Sequence, residues 1–325
     1  MDIRNIYTFT RVAELKSFTK AAEELNYVQS TITMQIQQLE KELGYPLFDR
    51  IGKKVSLTSL GMEFLNCAYE ILHATEKAET LGKDHASMHG VLRLGVSESI
   101  LIGAMMELLP AYKKKYKNLD LRIKTGHTTE LMEQLKQNQL DILYLSANLN
   151  TEPIFCCHYV HQEYMAFLCE PNHSLAGKKK IPLRELMQHN FLVTEREGTC
   201  YGRLRELTAQ YDVTLDDLVE IDNISVIADL VEKGMGLAFL PEYAVQKRLE
   251  AGELVKLDVD IPPQIYYSQV LCHKSRWMSP FMTGLIEMIK EARPTGEMYT
   301  NHGHSNIVKY PYAEPMPADP DNFRI

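Results

Sequence analysis

Apolar positions recur at helical spacing in roughly the first quarter of this chain and in short strand-length runs after it. In Phe18-Thr19-Lys20-Ala21-Ala22-Glu23-Glu24-Leu25, Ala21, Ala22 and Leu25 share one helical face, and Asn26-Tyr27 breaks the run. Ile32, Ile36, Leu39 and Leu43 then form one narrow apolar stripe along a second helix. Two short helices joined by a tight turn predict a helix-turn-helix over about 18–37. Gly44 is a natural helix C-cap. Beyond it, Pro46-Leu47-Phe48-Asp49-Arg50 and Val55-Ser56-Leu57-Thr58 flank a Gly52-Lys53-Lys54 tip, which reads as a small hairpin, or wing. Residues 1–60 are therefore expected to form a winged helix-turn-helix domain.

From 61 to 89 the pattern predicts one long helix. Phe64, Ala68, Ile71, Thr75 and Ala78 are spaced alternately by four and three, a seam for pairing with a second helix, with packing within its own domain as the lesser alternative. After His89 strands and helices alternate. Strands are expected at Val91–Ser97, Leu119–Thr125, Leu140–Ser146, Tyr164–Cys169, Phe191–Thr194, Val219–Asp222, Gly236–Leu240 and Ile265–His273. Helices are expected at about 101–117, 129–139, 200–211, 224–233, 242–251 and 277–292. Such alternation predicts an α/β fold of two parallel-sheet lobes, lobe I at 90–161 and 268–293 and lobe II at 162–267. Strands crossing near 160 and 267 make the pair resemble a periplasmic-binding-protein fold. Residues 294–325 carry Pro294, Pro311, Pro315, Pro317 and Pro320 with few aliphatics and read as a flexible tail.

Charge is unevenly distributed along the chain. The chain of 325 residues has a formal net charge of −8, which argues against a protein that coats DNA by bulk electrostatics. Residues 1–60, however, balance Arg4, Arg11, Lys16, Lys20, Lys41, Arg50, Lys53 and Lys54 against Asp2, Glu14, Glu23, Glu24, Glu40, Glu42 and Asp49. A weakly positive head on an acidic body suits selective binding. No long apolar run predicts a membrane span, and the six cysteines lack the spacing of a zinc site. A reduced, cytoplasmic setting with no metal or cofactor is expected.

With the Ile32–Leu43 stripe turned inward, Ser30, Thr33, Met34, Gln37 and Lys41 face outward, with Gln29 at the helix start. Gln matches an adenine edge, and Thr or Met packs on a thymine methyl. Arg50, Lys53 and Lys54 on the wing would lie along the phosphate backbone of a double-stranded operator. The bland alternative is a solvated face, with Ser30 as an N-cap.

The order Phe9, Ser17-Phe18, Ala21-Ala22, Leu25, Gln29-Ser30, Ile36, Leu39-Glu40, Leu43-Gly44, Pro46-Leu47-Phe48, Arg50, Leu57-Thr58 and Gly61 resembles the DNA-binding domain of LysR-type transcriptional regulators. That resemblance implies Gln29, Thr31, Thr33 and Met34 as base readers. Thr33 and Met34 stand where Ser and Arg are common, so the preferred operator sequence does not carry over. It also implies a dimerising linker helix, a homodimer or homotetramer, a small-molecule effector held between the lobes, and RNA polymerase as a further partner. In the body the likeness is diffuse outside short runs such as Gly234–Pro241.

In open α/β sheets ligands settle beyond the carboxyl ends of the strands. That rule selects the loops carrying Ser97, Glu98 and Ser99; Thr128 and Thr129; Ser146; and Thr194 through Thr199 and Cys200. Each hydroxyl is also a good N-cap. Glu98, Glu195 and Glu197 set acids around this cleft against Arg196 and Arg203, which leaves the effector's charge open. No nucleophile elbow, metal-spaced His pair or phosphate-binding glycine loop supports catalysis, so a non-enzyme is expected. The competing reading is a thiol-based redox sensor using Cys200, although no cysteine stands between Tyr201 and Leu271 as a resolving partner.

Overall fold

The computed structural model describes residues 1–51, 54–80, 89–196, 198–215, 218–274 and 276–294, with the backbone alone at 50, 51, 54, 73, 76, 77, 79 and 80. Helices α1 (Ile3–Leu15), α2 (Phe18–Glu24) and α3 (Gln29–Leu43) are followed by an antiparallel hairpin of β1 (Phe48–Ile51) and β2 (Lys54–Leu57). The expected stripe is the inward face of α3: Ile32, Ile36 and Leu39 are fully buried. Side-chain caps place the turns. Ser17 accepts from Lys20 N at the start of α2, and Gly44 ends α3 at a φ of 81°. Glu40 accepts from the amides of Leu47 (2.7 Å) and Phe48 (3.3 Å), tying the end of α3 to the hairpin.

The long helix α4 runs Ser59–Thr80. Residues 81–88 lie outside the described residues and His89 is not helical, so the helix expected to reach 89 is seen only to 80. Gly61 in its first turn lets the helix approach the hairpin closely, since a Cβ there would overlap the Leu47 carbonyl oxygen. The seam expected to face a partner subunit is corrected in its first half. Phe64 and Ala68 are buried in the head's own core, with the Phe64 ring 5.2 Å from that of Phe9. Ile71 packs against the same core, whereas Leu60, Met62, Cys67, Ala74 and Ala78 are exposed. A heptad spacing specifies an apolar stripe, not which chain covers it.

The body is one sheet, nine-stranded among the described residues. Parallel strands β3 (Gly90–Val96), β4 (Leu119–Thr125) and β5 (Ile142–Ala147) build lobe I, and β7 (Phe191–Val193), β8 (Leu218–Glu220) and β9 (Leu237–Pro241) build lobe II. Two long antiparallel strands, β6 (Phe155–Cys169) and β11 (Gln264–His273), pass between the lobes, and the short β10 (Val255–Lys256) pairs with β6. Both lobes keep separate apolar cores. The helix expected over 101–117 is instead a turn at Glu98–Ile100, a π-helical stretch at Leu101–Met105 and a helix at Leu108–Lys115. The restart puts Pro110 in a first turn, where its missing N–H costs no hydrogen bond. No helix among the described residues is long and apolar enough to cross a membrane. The tail expected over 294–325 lies, from 295 onward, outside the described residues.

Candidate functional site

On the head, Gln29, Ser30, Met34 and Gln37 are exposed and Thr31 and Thr33 half-buried. Val28, not Ser30, holds the N-cap position of α3, without a side-chain hydrogen bond; Thr31 N donates to Val28 O (2.9 Å), and the amides of Gln29 and Ser30 keep their donors for another acceptor. Thr33 Oγ1 donates to Gln29 O (3.0 Å). Its hydroxyl is used within the helix, which leaves the methyl for an apolar contact. Gln29 Oε1 accepts from Thr19 Oγ1 (3.2 Å), which fixes its amide at the junction of α2 and α3. Beside it Val28 and Met34 expose large apolar side chains, 67% and 63% accessible, an unusual cost for a purely solvated face. The wing follows as expected in backbone, but Lys53 and the side chains of Arg50 and Lys54 lie outside the described residues.

Between the lobes lies a cavity of 390 Å³. Ser97, Glu98, Ser99, Thr128, Ser146, Thr199 and Cys200 line it; Thr129, one helical step on, faces solvent and does not. Several lining hydroxyls are engaged. Tyr243 Oη donates to Ser99 Oγ (2.8 Å), and Thr128 and Thr199 face each other across the cleft at 3.4 Å. Gly103 permits close packing here, since a Cβ would stand 2.6 Å from the Tyr243 ring. Glu98 Oε2 accepts from Ile224 N of lobe II (3.3 Å). Burial pushes Glu98 above the usual carboxylate range, with Asp222 adding to it.

Sequence reasoning missed Asp222, Asn223, Met165, Pro241 and Tyr266 in this lining. The strand-end rule would have selected Asp222 had β8 been ended at Glu220 rather than Asp222; Met165 and Tyr266 enter from the crossing strands, which no local pattern marks. Burial raises Glu195, and the neighbouring Asp222 raises it further. His127 Nδ1 lies 3.1 Å from Glu195 Oε1. Arg196 and Arg203, set against these acids in the sequence, turn instead to Glu220 (3.3 Å) and Glu206 (3.1 Å), and neither lines the cavity. Glu197 lies outside the described residues. The Cys200 thiol is pushed up to about 12 by burial, then by Glu195 and Glu98, so it is not a ready thiolate.

The head sits against lobe I through a compact charged junction. Arg93 of β3 holds Asp141 (Nη2–Oδ1 2.6 Å), which also meets Arg276. The Arg93 guanidinium lies 4.3 Å over the Tyr69 ring of α4, and Tyr69 Oη donates to Glu14 of α1 (3.0 Å). Arg122 of β4 reaches Glu14 and Glu24, both at 3.5 Å, and Arg11 bonds the same two carboxylates.

A winged reading head tied to a two-lobed cleft defines a DNA-binding regulator governed by a small ligand. The chain belongs to the LysR family: residues 85–294 match the LysR substrate binding domain, and residues 3–62 the bacterial regulatory helix-turn-helix protein of the lysR family. It is 29% identical over 294 residues to the HTH-type transcriptional regulator YwqM of Bacillus subtilis, spanning 90% of this chain and 99% of that one. It is 28% identical over 291 residues to the HTH-type transcriptional regulator CzcR of the same organism, 90% and 98% of the two chains. Its fold is that of a full-length OxyR variant from Pseudomonas aeruginosa, with a TM-score of 0.72 at 21% identity, over 92% of this chain and 99% of the other. It is thus a LysR-type transcriptional regulator with a helix-turn-helix and an effector-binding domain.

Proposed function

We propose that this regulator reads an inverted-repeat operator through the N-terminal face of α3 in each of two or four subunits, and that an effector between the lobes alters that reading. Protein symmetry mirrored in the operator supports the pairing of half-sites. Gln29, Thr33 and Met34 contact base edges, Ser30, Thr31 and Gln37 support them, and Arg50, Lys53 and Lys54 hold phosphates. Subunits pair through the outward face of α4, where Leu60, Met62, Cys67, Ala74 and Ala78 are exposed, rather than through Phe64 and Ala68. RNA polymerase is contacted from the bound oligomer. The regulator acts in the cytoplasm and performs no catalysis of its own.

One observation carries the effector half of this reading: the cavity is bounded by contacts that cross from lobe to lobe, Glu98–Ile224 and Ser99–Tyr243, so a guest changes the lobes' relation. Lobe I in turn touches the head through Arg93, Arg122, Tyr69 and Glu14. Gln29→Ala should cost about 1–3 kcal/mol at one operator position and relax its base preference. Lys53→Ala should weaken all sequences alike and flatten the salt dependence. Mobility shifts across operator variants separate the two, and equal, sequence-blind losses from both would sink the base-reading assignment.

A further inference from the structure

The cavity between the lobes carries an imbalance. Glu98, Glu195 and Asp222 line it, and its only basic group among the described residues is His127. Arg196 stands next to Glu195 and Arg203 one turn into the following helix, yet they turn to Glu220 and Glu206 outside the cavity. Glu98 and Glu195 are half-buried and Asp222 stands exposed at the rim. Drawing carboxylates even partly out of water without cations is costly, and the cost falls when another group supplies the missing charge. A second observation lies at the same wall. Thr194, 5% exposed and lining the cavity, has no partner for its Oγ1. An unsatisfied buried hydroxyl at a cavity wall is a ready acceptor for an incoming N–H.

We infer that the effector is a small organic cation, with an ammonium or amidinium group seated between Glu98, Glu195 and Asp222 and one N–H given to Thr194 Oγ1. The inference rests on the cleft being the effector site and names the class of ligand it takes. Met165, Ile224, Pro241 and Tyr266 complete the wall, so the remainder of the molecule is apolar or aromatic. A bare metal ion fits poorly: no group of three or more His, Cys, Asp or Glu side chains among the described residues is close enough to hold one, and 390 Å³ far exceeds an ion. The raised carboxyls of Glu98 and Glu195 agree, since a bound cation would draw both back toward the charged form.

Matched probes test this. Tyramine and 4-hydroxyphenylacetate share a body and differ in the sign of charge, as do cadaverine and glutarate. Thermal-shift and calorimetric titrations of the full chain in phosphate buffer should show stabilisation by the amines and not by their carboxylate twins. The isosteric Glu195→Gln should weaken the amine at least tenfold, and Thr194→Val several-fold, with unliganded melting close to that of the parent. Carboxylates that stabilise where amines do not, through a response lost in Thr194→Val, would overturn the cation and leave the cleft as the effector site. Amines that bind equally well to Glu195→Gln and Thr194→Val would overturn the cleft as well. An amine panel without any stabilisation overturns the cation inference and leaves the operator measurements untouched.

Discussion

The junction between head and lobe I and the cleft between the lobes both shelter carboxylates, but they compensate them in opposite ways. At the junction Asp141, 2% exposed, lies between Arg93 and Arg276, and Glu14 and Glu24 lie between Arg11 and Arg122. Each of these three acids has a guanidinium from another element, and the aromatic ring of Tyr69 lies under Arg93. The cleft's three acids share one imidazole. A self-neutralised cluster is a structural joint whose geometry is fixed by its own charges. An acid-rich cavity with an open hydroxyl is a socket whose charge is completed from outside. Joint and socket meet through lobe I: Arg93 lies on β3, and Ser97 and Glu98, on the lobe I wall of the cleft, follow that strand directly.

The largest effect is expected at the joint. Asp141→Ala leaves Arg93 and Arg276 together without their principal acid and should cost about 3–5 kcal/mol in urea unfolding of the full chain. A loss under about 1 kcal/mol, the scale of an exposed pair, would mean the joint is solvated and not structural. Uncoupling is the next largest effect. Tyr69→Phe combined with Glu14→Gln removes the bond between α4 and α1 while leaving the cleft and α3 alone. Effector-induced changes in operator affinity typically amount to about 5–150-fold. In the double variant that change should shrink several-fold, with each ligand still binding alone. An undiminished response would place the coupling elsewhere, for instance in the subunit interface along α4.

The smallest effect is also the sharpest about sign. Glu98 and Glu195 titrate above their unfolded values, so the empty folded chain binds more protons than the unfolded one between those values. Its stability should therefore fall as pH rises through that window. Glu195→Gln should match the parent at acid pH and melt slightly higher at neutral pH in phosphate. Cation affinity runs the other way, rising with pH as the carboxyls release their protons. A Gln variant that melts lower at neutral pH would show that Glu195 is already compensated within the chain.

Much of this architecture was legible because it is local. The α3 stripe, the wing runs and the strand–helix alternation follow from spacing alone, and four strand-end loops gave most of the cavity wall. What stayed hidden is non-local. Arg93 sits inside a run that reads as a buried apolar strand, and its partner Asp141 is 48 residues away. Phe64 and Ala68 follow a pairing seam, yet the ring of Phe9 covers that face. Ser99 looks like a free donor at a helix start until Tyr243, 144 residues on, is seen to hold its oxygen. The four-residue helix Leu183–Leu186 and the two-residue β10 are too short to leave a period. The acidity of the socket could be suspected from Glu98 and Glu195, but the turning away of Arg196 and Arg203 is decided by Glu220 and Glu206, outside the cleft.

The most direct test of joint against socket is a crystal structure of the full chain with the amine that stabilises it most. The cationic nitrogen should lie at charge-assisted hydrogen-bond distance, about 2.7–2.9 Å, from carboxylate oxygens of Glu195 and Asp222, with Thr194 Oγ1 as a further acceptor and the Arg93–Asp141–Arg276 cluster unchanged. A cationic group bound away from these carboxylates, or seated at the junction among Glu14 and Glu24, would contradict it.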